Sequence, residues 1–250
     1  MTDGRAAIIL AAGKGKRMKS DIPKVLHRIH GRAIISILMD TLTELNFAKL
    51  VVVIGFKGEM VKDELSERPV SFVWQREQLG TGHAVQMARE EFADFTGTTL
   101  VALGDVPFLS AESIERLFAV HEETGAAATC LSAILDNPGG YGRIIREGDS
   151  NKVKDIIEEK DASEQVRKIR EINTGMFCFN TRELFAALDK VDNRNVQGEY
   201  YLTDTVKIMH SKGLCVSVVT AGNPDEALGV NSAEQLESLA KKISFFGKKK

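Results

Sequence analysis

The chain has 250 residues, of which 43% are hydrophobic, 27% charged and 6% aromatic, a balance that excludes a disordered chain, a collagen-like chain and a disulfide miniprotein. The length allows one large α/β domain or two small ones. A formal net charge of −2 offers no bulk attraction to nucleic acid or an anionic membrane, and the block Lys248-Lys249-Lys250 reads as a solvated end.

No apolar run approaches the roughly 20 residues that span a bilayer. The run 6–12 is followed at once by Lys14, Lys16 and Arg17, so it reads as a buried first strand and not as a signal segment. Cys130, Cys178 and Cys215 are far apart and odd in number, which supports neither a zinc site nor a disulfide framework. Reduced thiols in the cytoplasm are the simplest reading.

In chain order, the pattern predicts a strand at 6–10, a helix at 33–45, a strand at 50–54 and a helix at 58–65. An extended segment at 70–74, a helix at 81–92, a strand at 98–103 and a helix at 110–122, N-capped by Ser110, follow. After Gly125 the rhythm changes. Strands are expected at 126–135, 142–146, 153–157, 172–180 and 215–220, and helices at 181–188, 201–210 and 233–243. Strand–helix alternation with continuous apolar strands implies an α/β fold with a Rossmann-like, doubly wound, mixed and mostly parallel sheet. With no linker or repeat, 1–250 reads as one domain of two lobes, dividing near 109.

The segment Leu10-Ala-Ala-Gly-Lys-Gly-Lys-Arg-Met18 follows the first strand. Small residues let backbone approach a ligand, and successive N–H groups can cradle phosphate. Gly13 and Gly15 match the start of a dinucleotide fingerprint, but Met18 occupies its third glycine position, and no Gly-Lys-Ser/Thr closes a P-loop. A tight surface turn is the plain alternative. The string then continues through Pro23-Lys24-Val25-Leu26. Together these stretches resemble the sugar nucleotidyltransferase family. Within it they are most similar to the uridylyltransferase half of the bacterial bifunctional enzyme that makes UDP-N-acetylglucosamine, a peptidoglycan precursor.

The resemblance extends over nearly the whole chain. It implies the nucleotide-diphospho-sugar transferase fold, with a nucleotide-binding lobe to about 109 and a smaller sugar-binding lobe from 110 to 250. It places nucleotide contacts at Leu10, Ala11, Ala12 and Gly13, and uracil recognition at Gln75, Gly80 and Thr81 in Gln75-Arg-Glu-Gln-Leu-Gly-Thr-Gly-His83. His83 reads as a helix-start residue that supports this loop rather than as a base. Asp105, in Leu103-Gly-Asp-Val-Pro107, is either a helix cap or, by the resemblance, a Mg²⁺ ligand. Hard Mg²⁺ takes oxygen donors, with phosphates and water completing its shell. Asn231 would be its partner, with an N-cap role as the alternative and Ser232 also able to fill that role. Sugar contacts map to Gly142, Glu158, Asn173, Glu199, Tyr201 and Thr203. Lys160 is a further phosphate candidate, Tyr201 would pack on an acetyl methyl, and Tyr200 is assigned to the core.

The implied reaction is Mg²⁺-dependent transfer of UMP from UTP to N-acetylglucosamine 1-phosphate, with Arg17 and Lys24 as the catalytic cations. Another sugar 1-phosphate, another nucleoside triphosphate, or a non-catalytic nucleotide-sugar sensor are the competing readings. The family continues into a β-helical acetyltransferase of hexapeptide repeats, which this sequence does not contain. A monomer or weak oligomer without acetyl transfer is the resulting expectation.

Overall fold

The computed structural model describes residues 4–18, 20–230, 232, 234–237 and 240. The elements are β1 (Arg5–Ala11), β2 (Arg28–Ile29), β3 (Arg32–Ala33), α1 (Ile34–Glu44), β4 (Lys49–Ile54), α2 (Gly58–Glu64), β5 (Ser71–Trp74), α3 (Thr81–Met87) and β6 (Thr98–Leu103). They continue as α4 (Ala111–Thr124), β7 (Ala128–Ile134), β8 (Arg143–Arg146), β9 (Val153–Ile157), α5 (Glu164–Arg167), β10 (Glu171–Asn180), α6 (Thr181–Leu188), α7 (Asp204–Ser211) and β11 (Val216–Thr220).

Among the described residues, nine strands form one sheet with the path β11-β7-β10-β6-β1-β4-β5, and β8 and β9 extend it beside β10. β1 runs parallel to β4 and β6, β4 to β5, and β7 to β11. β10 is antiparallel to both β6 and β7. The sheet is therefore mixed and mostly parallel, as expected, and it passes without a break through the position of the expected lobe boundary.

The alternation within the strands explains why both faces are covered. Ala6, Ile8, Val51, Val53, Val101 and Phe177 enter one core cluster, together with Val85, Leu184 and Met209 from α3, α6 and α7. Ala7, Ile9, Val52, Ile54, Leu100 and Cys178 enter the other, with Leu38, Val61 and Leu117 from α1, α2 and α4. A strand apolar on both faces needs helices on both sides, and each fully buried Ile or Leu contributes about 1.5–3 kcal/mol.

Most expected elements form within a residue or two of their predicted bounds. Ser110 caps α4, its Oγ accepting from Ser113 N (3.1 Å). Three readings need correction. The helix expected over 81–92 stops at Met87, and Arg89–Phe92 tightens into a 3-10 turn. That turn sets Phe92 in the core against Phe95 and Phe185. The helix expected from Tyr201 starts at Asp204, and Leu202 N, just before it, donates to Thr81 Oγ1 (3.0 Å). The β2–β3 hairpin, turning through His30 and Gly31 at positive φ, and the short α5 were not anticipated. The expected helix at 233–243 lies largely outside the described residues, as does the Lys248–Lys250 block. No helix of the described residues is long and apolar enough to cross a membrane. Cys130 and Cys178 are buried and Cys215 is partly buried, none in a disulfide.

Candidate active site

In the sheet path, the chain moves outward from β1 to β4 and β5, then returns to β6 on the other side of β1. The crevice at the carboxyl ends of such diverging strands is the natural ligand site of an open α/β sheet. Backbone bonds hold those ends in one row. Gly104 N donates to Leu10 O (2.9 Å), Phe56 N to Ala12 O (3.1 Å) and Gln75 N to Ile54 O (2.8 Å). Leu10, Ala11, Ala12, Asp105 and Gln75 thus emerge side by side.

The loop after β1 folds back on itself, with Met18 N donating to Gly15 O (2.9 Å). Gly15 has φ +62°, and a Cβ there would lie 2.7 Å from Lys24 Cβ. The glycine is what allows the Lys24 segment to lie against the loop. Lys24 Nζ donates to Asp105 Oδ2 in a pair whose side chains are only 18% and 11% exposed. Asp105 O also accepts from Val230 N (2.9 Å). The helix-cap reading of Asp105 is set aside, since Ser110 caps α4 and the Asp105 carboxylate faces Lys24. Exposed Gly13 and Arg17 flank this pair on the loop. Tyr141 closes across from the other half of the sheet. Burial raises its pKa, the Asp105 charge adds to that, and Arg17 and a hydrogen bond with Gly229 backbone oppose it.

Asn231 lies outside the described residues. Ser232 Oγ accepts from Gln235 N (3.3 Å), so Ser232 fills the helix-cap role that was the alternative for Asn231. Among the described residues no group of three or more His, Cys, Asp or Glu is gathered as a metal cage. One carboxylate suits a cation that draws its other ligands from phosphates and water, as Mg²⁺ does, and does not suit a protein-built zinc or calcium site.

On the β5 side, Gln75 is 3% exposed. Its Nε2 lies 3.0 Å from Gly80 O and 3.0 Å from His83 Nδ1. Gly80 has φ +115°, and its missing Cβ would fall 2.5 Å from Tyr200 O. Tyr200 N donates to Leu79 O (2.8 Å), and Gly82 N donates to Tyr200 O (2.8 Å). The glycine read as a ligand-approach residue is therefore also a contact between the base-side loop and the 197–204 segment. Thr81 joins the same seam through Leu202 N.

The sugar-side candidates gather around Glu158. Thr203 Oγ1 donates to Glu158 Oε1 (2.9 Å), and a Cβ on Gly142 would lie 3.3 Å from Glu158 Oε2. Gly142 O accepts from Asn173 N (2.8 Å), and Asn173 Oδ1 accepts from Gly175 N (3.0 Å). Burial pushes the Glu158 carboxyl above its usual range, the Thr203 hydroxyl pulls it back, and Asp161 and Glu199 push it further up. Lys160 is exposed beside this group. The core assignment of Tyr200 needs correction. Tyr201 is the buried one, at 7% exposed, and its hydroxyl accepts from Gln197 Nε2 (2.9 Å), whereas Tyr200 is only partly buried. Tyr141 and Arg143 were missed. Arg143 is 1% exposed and donates to the carbonyls of Tyr141, Arg167 and Ile169, pinning the turn that carries Gly142. Its charge inside a Gly-Gly-Tyr-Gly-Arg turn was the available signal.

The fold is that of an α/β protein with a glycine loop and a buried Lys24–Asp105 pair at the carboxyl ends of its central strands. The MobA-like NTP transferase domain model matches residues 7–203, and the chain belongs to that family. It is similar to the bifunctional protein GlmU of Heliobacterium modesticaldum, 48% identical over 232 residues, covering 93% of this chain and 50% of that one. The protein of that name from Oceanobacillus iheyensis is 45% identical over 244 residues, 96% of this chain and 53% of that one. The chain thus spans about half the length of the curated relatives it matches. A solved UDP-glucose pyrophosphorylase complexed with UDP-glucose shares the fold, with TM-score 0.76 at 16% identity over 98% of this chain and 99% of that one.

Proposed function

We propose that this chain catalyses Mg²⁺-dependent transfer of UMP from UTP to N-acetylglucosamine 1-phosphate in the cytoplasm, giving UDP-N-acetylglucosamine and pyrophosphate. The carrying observation is the Lys24–Asp105 pair under the glycine loop at the sheet's switch point, with Gln75 to one side. Residues to about 109 hold the nucleotide, and those beyond hold the sugar.

A phosphate oxygen of the sugar 1-phosphate attacks the α-phosphorus of UTP in line, and pyrophosphate leaves. The nucleophile is already an anion, so no general base is needed. The work is positioning and charge stabilisation. Leu10, Ala11, Ala12 and Gly13 bring backbone to the nucleotide, and Arg17 stabilises the departing pyrophosphate. Lys24 neutralises the reacting phosphates. Asp105 and Asn231 would hold a magnesium ion, which would supply further positive charge to the phosphates. Gln75, Gly80 and Thr81 read the base. Glu158, Thr203, Gly142 and Asn173 bind sugar hydroxyls, with Asn173 oriented by the bond its Oδ1 accepts from Gly175 N. Glu199 and Tyr201 border the acetyl group.

Pyrophosphate release measured with UTP, Mg²⁺ and a panel of sugar 1-phosphates tests this. N-acetylglucosamine 1-phosphate is expected to be the best acceptor. UTP binding without turnover on any sugar phosphate would instead mark a nucleotide-sugar sensor.

A further inference from the structure

An amide nitrogen carries two N–H donors and no acceptor. The two short contacts of Gln75 Nε2, to Gly80 O and to His83 Nδ1, account for both hydrogens. Gly80 O can only accept, which favours the amide orientation that turns Nε2 toward it. In that orientation His83 Nδ1 accepts as well, which places the imidazole proton on Nε2 and adds a second anchor. The amide atom left for a ligand is then Oε1, a pure acceptor.

We propose that His83 is a specificity-determining positioning residue, which locks the Gln75 amide with Oε1 toward the base and so selects uracil over cytosine. The inference rests on the UTP reading above. Uracil offers a ring N–H at N3, which an acceptor pairs with. Cytosine offers a lone pair at the same position, which an acceptor repels. A flipped amide would invert that preference, and His83 and Gly80 O together oppose the flip. The His83 ring is itself placed by α3 and sits 6.4 Å from the Tyr200 ring, centroid to centroid.

The variants His83→Leu, His83→Asn and His83→Gln separate this role from packing. Asn places a carbonyl oxygen where Nδ1 stands, whereas Gln reaches toward the position of Nε2. The readout is kcat/KM for UTP against CTP. His83→Leu is expected to lower the UTP:CTP ratio by roughly fivefold to tenfold, the factor for about one lost hydrogen bond. The change should enter through KM, with kcat for UTP close to that of the parent. His83→Asn should restore most of the ratio, and His83→Gln should not. In the parent protein without substrate, ¹⁵N NMR of the imidazole should show the proton on Nε2, a check that needs no variant to fold. An unchanged ratio in His83→Leu, no recovery in His83→Asn, or a proton on Nδ1 each overturns the proposal. A parent that does not prefer UTP overturns the UTP reading instead, and the NMR result still decides whether the amide is locked.

Discussion

Gly80→Ala tests the seam that joins the base-side loop to the 197–204 segment. At φ +115° and ψ 173° the backbone is in a region that essentially only glycine adopts, so alanine there costs on the order of 1–3 kcal/mol. The new Cβ also meets backbone, 2.5 Å from Tyr200 O and 2.8 Å from Tyr200 N, with no flexible side chain to yield. Relief requires loosening Tyr200 N→Leu79 O and Gly82 N→Tyr200 O, each worth about 0.5–1.5 kcal/mol net. The sum is about 4 kcal/mol. For a domain of this size that lowers the unfolding midpoint by about 8–16 °C. Gly80 O would move with it, so the Gln75 amide loses an anchor and KM for UTP should rise several-fold. Gly213→Ala is the control. It shares a positive φ of +75° but has nothing within 4 Å of its Cβ, so it should cost only about 1–2 kcal/mol of strain and leave KM alone. Thermal unfolding and UTP titration of both variants decide the matter. A Gly80→Ala protein that melts with the control and keeps the parent KM would refute the seam.

Three further predictions concern charge. Asp105→Ala should cut Mg²⁺-dependent pyrophosphate release by on the order of 10²–10³ while the circular dichroism spectrum stays that of the parent, and full activity would remove Asp105 from the metal site. The Asp204 carboxyl is pushed up to about 6 by burial and then by the charges of Asp155, Glu158 and Asp192. A raised folded value gives stability that is complete below pH ~4 and lost as pH rises through 6. Asp204→Asn should therefore be more stable than the parent at pH 8, by about 1 kcal/mol after solvent screening, with the gap closing by pH 4 in urea unfolding. A gap independent of pH would contradict this. His121 is pushed down to about 4 by burial, and its Nδ1 lies 3.0 Å from Thr129 Oγ1. Its contribution is complete above pH 6.5 and lost as pH falls through 4, a swing of about 3 kcal/mol that His121→Gln should flatten. Because Asp204 and His121 have opposite slopes across pH 4–6, Asp204→Asn should steepen the rise of stability with pH, and His121→Gln should turn it into a smaller fall.

The fold was legible because its strands are apolar on both faces. The runs 6–10, 50–54 and 100–103 have room for no polar face, so covering helices and a parallel arrangement follow from composition. The helix ends were legible where a side chain carries the signal, as Ser110 does for α4. They were illegible where the chain meets a distant segment. Nothing in 201–204 shows that Leu202 N is held by Thr81, 121 positions earlier in the chain. The partial exposure of Tyr200 was no more legible, since its backbone N and O are both bonded to the Leu79–Gly82 loop.

The candidate site divides along the same line. Individual residue types were readable: small residues for close approach, lysine and arginine for phosphate, a lone aspartate for a hard cation. What each one faces was not. Gly80 shows why. A glycine that admits a ligand and a glycine that admits another stretch of the same chain are identical in sequence, and here the space beside Gly80 is taken by Tyr200 backbone. That contact ties base recognition to the segment that also carries Thr203, whose hydroxyl holds Glu158 on the sugar side. The strand ends align Asp105 and Gln75, and the glycine loop brings Lys24 to Asp105. Bringing the Glu158 group into register with them depends on the seam, so a substitution there should impair use of the sugar phosphate as well as of the nucleotide.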